Sequence, residues 1–425
     1  MYISKVELKN IKCFEHFSID LEENGKPILW TMIVGDNSVG KSCLLNSIAL
    51  GLCDEATAAA LMKEISGDFL RKDTPIKRGA ISGSIEIGFR KEIKSKMAYG
   101  IKTKITKKPP DAPERVKQSL IPRQKDFPWN DIFICGYGPQ RAAEADRSYD
   151  EYDPLAAVYT LFNYESTLQN PELILRRQPN RRRKQWAKKV LKVLMLDEND
   201  YDVVLTTTGM DIVGPWGALP LWSLSDGYRS TIFWILDFLA WQIYFKATNG
   251  RKPFSGVLLI DEIEQHLHPK WQRYIVERLR SQFPKVQFIT TTHSPLVALG
   301  ISDIKSAKIV MLKREKQRIT CEEIEPETLK SMRADQVLTS DVFGLSTARS
   351  GKTGDMIIRF RELFLKDVLD TEEKSEFMKL QAEILRELPS AAESEEDRKI
   401  HREIKDLLNR LENSLREKGH DKDKK

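Results

Sequence analysis

Residues Gly35-Asp36-Asn37-Ser38-Val39-Gly40-Lys41-Ser42 fit the pattern GxxxxGK[ST], in which a glycine-bearing turn ends in a lysine and a hydroxyl. That combination handles phosphate. Backbone N–H groups around Gly35, Asn37 and Gly40, with those of a following helix, can cradle phosphate oxygens. The Lys41 ammonium can neutralise β- and γ-phosphates, and the Ser42 hydroxyl can ligate Mg²⁺. A second group stands at Val257-Leu258-Leu259-Ile260-Asp261-Glu262, an apolar run closed by two carboxylates. It reads as a buried parallel strand whose C-terminal end faces a ligand, rather than as a solvated turn. Asp261 would hold the Mg²⁺ shell there, and Glu262 would orient or deprotonate an attacking water. A third run, Gln287 to Thr291, ends in Thr292-His293-Ser294. His293 lies 32 residues beyond Asp261 (293 minus 261), where it would sense a γ-phosphate by hydrogen bond.

Elements that could position these groups follow from the apolar pattern. Alternation over Ile3, Val6 and Leu8, then Ile11, Phe14, Phe17, Ile19 and Leu21, predicts an opening hairpin. A strand from Ile28 to Val34 feeds the glycine turn, and a helix from Ser42 to Leu52 follows it. Residues 81 to 106 alternate again and predict an antiparallel hairpin, while prolines and charges from Pro109 to Trp129 predict an exposed connection. A strand over Ile132 to Tyr137, helical sequence over Leu155 to Leu196 and a strand pair near 201 to 213 complete the middle of the chain. The apolar run Ser230 to Phe245, interrupted by Asp237, reads as a buried helix and is too short for a membrane span. Two closing strands (Lys308 to Leu312, Arg318 to Ile324) precede a charged helical tail that ends in a frayed Lys/Asp run.

Leu224-Ser225-Asp226-Gly227-Tyr228-Arg229-Ser230 resembles the LSGGQ-type signature of ABC ATPases in the LSDG form of the RecF-like, SMC-like and OLD-like branch. Asp226 departs from the usual first glycine and favours that branch over transporters. Three further segments are similar to it: Leu8 to Phe14 (L-x-N-I-x-x-F), Glu264 to Pro269 (E-x-x-L-H-P) and Thr292 to Pro295. The resemblance covers about residues 1 to 315 and implies ATP and Mg²⁺ as cofactors. It implies that Ser225 and Gly227 cap the γ-phosphate held by a second copy in a head-to-tail homodimer. At the expected Q-loop two readings stand: Gln140 bridges Mg²⁺ and the attacking water, or Arg141 meets phosphate while Gln140 lines a turn. Thr160 to Leu175 and Arg333 to Leu345 resemble the compact bacterial ATPases of anti-phage defence, the PtuA-like subunits of Septu-type systems.

The expected architecture is an α/β ABC-type ATPase head, a mixed sheet with a P-loop core plus an antiparallel β subdomain, with a helical insertion and a helical C-terminal appendage. The expected divisions are 1–139, 140–200, 201–325 and 326–425. Composition agrees with a globular, non-membrane chain: 41% hydrophobic, 31% charged, a net charge of +6 and 68 basic against 62 acidic residues. Five scattered cysteines, without a CxxC pair, fit reduced thiols in a cytoplasmic protein, and the first residues lack the pattern of a signal peptide. The 184 residues between Lys41 and Ser225 (225 minus 41) are broken by prolines, which argues against a long coiled coil. No HxxH, H-N-H or folded D-x-D follows His293, and Asp421-Lys422-Asp423 sits in the frayed end, so a nuclease activity would belong to a separate effector subunit. Arg176 to Lys192 is basic enough to contact DNA phosphates, or forms a solvated helix face. Apolar residues at helical spacing (Phe377, Leu380, Ile384, Leu388; Ile400 to Leu415) pack on their own domain or dock a subunit. The function implied is an ATPase whose ATP-dependent dimerisation regulates an effector in anti-phage defence. A RecF-like repair or replication ATPase and a module with structural ATP are the alternatives.

Overall fold

A computed structural model describes residues 1–66, 75–90, 98–107, 115–122, 127–143, 146–194, 200–206, 209–249, 255–316, 318–345, 351–364, 366 and 370–387. The chain divides into two compact units, Met1–Gly344 and Leu345–Lys425.

At the centre of the first unit is a six-stranded sheet in the order Arg318–Ile324, Ala307–Glu315, Trp30–Gly35, Lys285–Thr291, Ser255–Ile260, Ile134–Tyr137. Every pairing in it is parallel except the outermost, between the two closing strands. Strands buried on both faces need near-continuous apolar sequence, and Val257–Ile260 and Trp30–Val34 supply it. The two faces feed two cores. Ile33, Val257, Leu259, Ile289 and Val310 pack with the helix Lys41–Leu52 and with a five-stranded antiparallel sheet. Met32, Val34, Leu258, Ile260 and Phe288 pack with the helices Asn180–Val193, Asp226–Asn249 and Pro269–Gln282.

The antiparallel sheet runs Phe14–Asp20, Tyr2–Ile11, Ser82–Arg90, Tyr99–Thr106, Arg115–Ile121. Both expected hairpins are present. Buried Gln287 ties this sheet to the central one, donating to Ile3 O and Ile28 O and accepting from Ile3 N. The strand Arg115–Ile121 falls inside the stretch expected to be an exposed connection. Among its residues only Val116 is buried, so an edge strand of Lys, Gln and Ser carries little apolar alternation. The helical sequence expected over 155–196 is broken into Pro154–Val158, Pro171–Arg176 and Asn180–Val193. Asp153 and Asn170 cap the first two, each followed by proline at the first helical position. A third short strand, Gly217–Pro220, joins Asp202–Leu205 and Met210–Gly214.

Leu329, Val337 and Val342 are buried in the first unit's core, so that unit continues past residue 325 to Gly344. In the second unit the helices Gly351–Phe364 and Thr371–Glu387 face each other: Phe360 stacks on Phe377 at 4.7 Å, and the Arg359 guanidinium donates to Glu376 at 2.9 and 2.8 Å. The apolar repeat from Ile400 to Leu415 and the Asp421/Asp423 pair lie outside the described residues. Among the described residues no helix is long and apolar enough to cross a membrane. The architecture is the expected mixed sheet with a P-loop core, an antiparallel β subdomain and helical additions.

Candidate nucleotide site

Parallel strands deliver their C-terminal ends to one edge, and the motif residues stand there. The strand Trp30–Gly35 ends at Gly35, with φ 140°, where a Cβ would come within 2.4 Å of Leu312 O. Gly40, with φ 99°, closes the turn under the opening hairpin; a Cβ there would meet Cys13 Sγ at 2.4 Å. The helix Lys41–Leu52 begins with no side-chain cap and no acidic residue in its first turn. Its first N–H groups and the positive end of its dipole therefore suit an anion. Lys41 Nζ donates to Gly35 O and Asp36 O at 2.8 Å each, which holds the ammonium over the loop. Burial lowers its pKa, and the charges of Asp261, Glu262, Asp36 and Glu264 oppose that shift.

Asp261 and Glu262 follow the strand Ser255–Ile260. The Asp261 N–H donates to Tyr137 O (2.8 Å) on one neighbouring strand. Thr291 on the other donates its hydroxyl to Asp261 Oδ1 (2.5 Å) and accepts from Glu262 N (2.8 Å). Glu262 sits at φ 47°, a left-handed conformation that a glutamate holds only when its surroundings impose it. Burial and then the charges of Asp261 and Glu264 raise its pKa, while His293 and Lys41 pull it down. The His293 side chain is exposed, and its turn is fixed from below. Glu264 accepts from His293 N at 2.5 Å and from Thr292 Oγ1 at 2.7 Å. Ser294 donates to Gln272 Oε1 (2.7 Å) and caps the helix Pro295–Gly300. Lys41, Asp261, Glu262 and His293 thus come together, with Ser42 beside Lys41 at the helix start.

Gln140 is exposed just past the strand Ile134–Tyr137. Arg141 is 4% exposed, and its donors go to protein carbonyls: Nε to Gly138 O (3.0 Å), Nη2 to Asp261 O (2.6 Å) and Glu262 O (2.9 Å). Its Nε and Nη2 thus clamp the acid pair's backbone, a role that neither reading of this segment foresaw. Burial lowers its pKa to about 10, still cationic at neutral pH.

The signature opens the 24-residue helix Asp226–Asn249. Ser225 is exposed ahead of it, whereas Gly227 is buried and a Cβ there would come within 2.4 Å of His266 O. Glycine is thus required for the helix to lie against the Glu264–Pro269 segment. Further along, Asp237 accepts from the Tyr137 hydroxyl (2.8 Å) and from Gln169 Nε2 (2.9 Å), and burial raises its carboxyl to about 6. Sequence inspection marked Asp237 only as an interruption of an apolar run. Its partners, like those of Thr291 and Arg141, lie far away in the chain and leave no local signal.

On the helix Asn180–Val193, Arg181, Lys184, Lys188 and Lys192 are exposed along one face, and Trp186 is buried on the other. Several cations of the cluster have protein partners: Arg176 donates to Thr206 O, Arg177 pairs with Asp150, and Lys189 donates to Gln282 O.

The family described as "AAA domain, putative AbiEii toxin, Type IV TA system" matches residues 31–299. The chain is 31% identical over 352 residues to the Septu protein PtuA of Bacillus mycoides (strain KBAB4), an overlap of 81% of this chain and 45% of that one. It is 37% identical over 95 residues to the Retron Vc95 probable ATPase of Vibrio cholerae serotype O1 biovar El Tor, covering 22% and 18% of the two chains. The chain therefore spans less than half the length of these curated relatives. Among solved structures, an SMC head bound to the C-winged helix domain of ScpA overlaps 78% of this chain and 100% of its own, at 17% identity and a TM-score of 0.49.

Proposed function

Because the chain belongs to the AAA-domain family described as putative AbiEii toxin, Type IV TA system, we propose that it is an ATP-hydrolysing switch. Two copies close head to tail over MgATP, and turnover reopens them to control a separate effector subunit, a nuclease, in anti-phage defence. One observation carries the reading: Lys41, Asp261, Glu262, Glu264 and His293 share one electrostatic site at the ends of parallel strands. The Ser42 hydroxyl and Asp261 carboxylate are the hard oxygen donors that Mg²⁺ takes, and the uncapped helix start with Lys41 suits a polyphosphate. Held by Ser42 and Asp261, Mg²⁺ would supply positive charge against the phosphate oxygens. Glu262 orients water and takes its proton, and its raised pKa brings it nearer the pH at which a base works best. His293 reaches the γ-phosphate from a turn held by Glu264. Ser225, exposed at the positive end of a long helix, faces the γ-phosphate of the second copy. The similarity to PtuA proteins and a retron ATPase supports a defence setting in the cytoplasm, and the exposed basic stripe supports contact with DNA.

Glu262→Gln and Lys41→Ala test the switch. With MgATP, Glu262→Gln is expected to lose hydrolysis by at least about 100-fold and to remain dimeric by light scattering, while Lys41→Ala stays monomeric. A Glu262→Gln chain that hydrolyses ATP as the parent does, with no ATP-dependent change in mass, would sink the switch and leave structural ATP. Co-expression with the neighbouring genes tests the partner. A stable complex holding a nuclease supports defence, and a lone chain that dimerises only with ATP and DNA supports a RecF-like role.

A further inference from the structure

The phosphate loop is gripped from outside as well as by its own lysine. The strand Ala307–Glu315 pairs with Trp30–Gly35 as far as Leu312 beside Gly35, and then runs on past the end of that strand. Its last residues stay extended because they pair antiparallel with Arg318–Ile324, Lys313 opposite Thr320, Arg314 opposite Ile319 and Glu315 opposite Arg318. Buried Ile319 anchors this projecting hairpin in the core, and Cys321 Sγ donates to Ser18 O (3.7 Å) on the opening hairpin. The projection brings Arg314 to the loop, where Nη2 donates to Ser38 O at 2.5 Å. Next to it the Cys13 thiol donates to Val39 O at 3.8 Å, from beneath Gly40.

Ser38 has φ 63°, a left-handed conformation that a serine holds only when its surroundings impose it. A trans peptide is planar, with its C=O and N–H on opposite sides. Fixing Ser38 O therefore turns the Val39 N–H away from the guanidinium, and the thiol at Val39 O does the same for the Gly40 N–H. Lys41 Nζ holds carbonyls at the other end of the loop, Gly35 O and Asp36 O.

We propose that Arg314 is a positioning residue of the nucleotide site: its guanidinium locks the left-handed turn at Ser38, so that the Val39 N–H joins those of the helix start in facing phosphate. When the Lys41 ammonium turns to phosphate it gives up its carbonyls, whereas Arg314 keeps its hold. The grip is on the loop rather than on one phosphate, so it serves a nucleoside diphosphate and a triphosphate alike. Arg314 is exposed, so its bond belongs at the weak end for a charged donor, about tenfold in binding. A lysine there keeps one charged donor and part of the grip, and alanine keeps none. The role rests on the MgATP reading of the same site, and the two can fail separately.

Equilibrium binding of mant-ADP and of the slowly hydrolysed fluorescent analogue mant-AMPPNP to the full chain, both with Mg²⁺, tests it beside steady-state ATPase rates. Arg314→Ala should bind both about tenfold more weakly than the parent. The loss is of uniform binding, so kcat at saturating ATP should stay within a factor of about two, and the urea midpoint should not move. Arg314→Lys should come back to within about threefold of the parent. Parent-like binding by Arg314→Ala overturns the role, as does a lysine variant no better than alanine. Weakening of mant-AMPPNP alone overturns it too, since the guanidinium would then meet the γ-phosphate itself. Weaker binding that comes with a lowered urea midpoint marks a structural prop and counts against positioning. Lys41→Ala judges the site: it should lose both nucleotides, and if it binds them like the parent both readings fall. If Lys41→Ala loses them while Arg314→Ala does not, the site reading stands and the role of Arg314 falls.

Discussion

Glu264 lies outside both the phosphate loop and the acid pair, yet two donors of the His293 turn end on its carboxylate. Removing that acceptor takes away the partner of the Thr292 hydroxyl hydrogen and of His293 N–H, at a cost of about 1–3 kcal/mol, and frees the turn that aims the imidazole. Because His293 is proposed to act on the γ-phosphate as it leaves, the loss should fall on kcat rather than on KM. Glu264→Ala is expected to lower kcat by roughly tenfold with KM within a factor of about two, and Glu264→Gln, which keeps one acceptor oxygen, to fall between. Steady-state ATPase assays decide this; an unchanged kcat in Glu264→Ala would show that the turn holds without its support. At this scale residue type and spacing were enough to single out Lys41, Ser42, Asp261, Glu262 and His293 as candidates, and the fold gathers Lys41, Asp261, Glu262 and His293 at one edge. The partners of Arg141 and Thr291 stayed hidden because they are 120 and 30 residues away (261 minus 141, 291 minus 261) and nothing local marks them.

The elements meet around a single buried carboxylate. Asp237, inside the helix that begins at the signature, accepts from Tyr137 on the strand beside the acid pair and from Gln169 in the inserted segment. The Tyr137 carbonyl in turn holds the Asp261 N–H. Burial raises the Asp237 carboxyl to about 6 from an ordinary 3.8, so between those values the folded chain holds a proton that the unfolded chain has released. The resulting stability is full below about pH 4 and is lost as pH rises through about 6. One pKa unit is worth about 1.4 kcal/mol, so moving from pH 7.5 to pH 5 should strengthen the parent by roughly 1–2 kcal/mol through this group alone. Asp237→Asn removes the titration. Denaturant unfolding at the two pH values should show a gain in the parent that Asp237→Asn lacks, and equal gains would mean that Asp237 is not the group responsible. Element-scale order was readable wherever burial repeats at period two or in an unbroken run, as in Ser82–Arg90 and Val257–Ile260. It was unreadable in Arg115–Ile121, whose place on the sheet edge demands only one buried side chain.

On the molecule as a whole the net charge of +6 is small, so any attraction to nucleic acid has to come from placement rather than total. The helix Asn180–Val193 supplies placement. Trp186, Ala187, Val190, Leu191 and Val193 are buried, which turns Arg181, Lys184, Lys188 and Lys192 outward on a common face. The sequence showed the cluster but not its division, because only packing separates half-buried cations, such as Lys189 on Gln282 O, from exposed ones. With Trp186 in the core no aromatic is left to stack on bases, so binding through this face should be to phosphate and indifferent to sequence. Each phosphate neutralised contributes about −0.9 to the slope of log affinity against log salt on duplex DNA. Replacing Arg181, Lys184 and Lys188 by alanine should therefore flatten that slope by about 2–3 and weaken binding equally for unrelated duplexes. Fluorescence polarisation of labelled DNA across a salt series, with mant-AMPPNP binding as a check that the nucleotide site is intact, measures both. A slope that does not change assigns the face to solvent and removes DNA contact through this helix from the proposed switch.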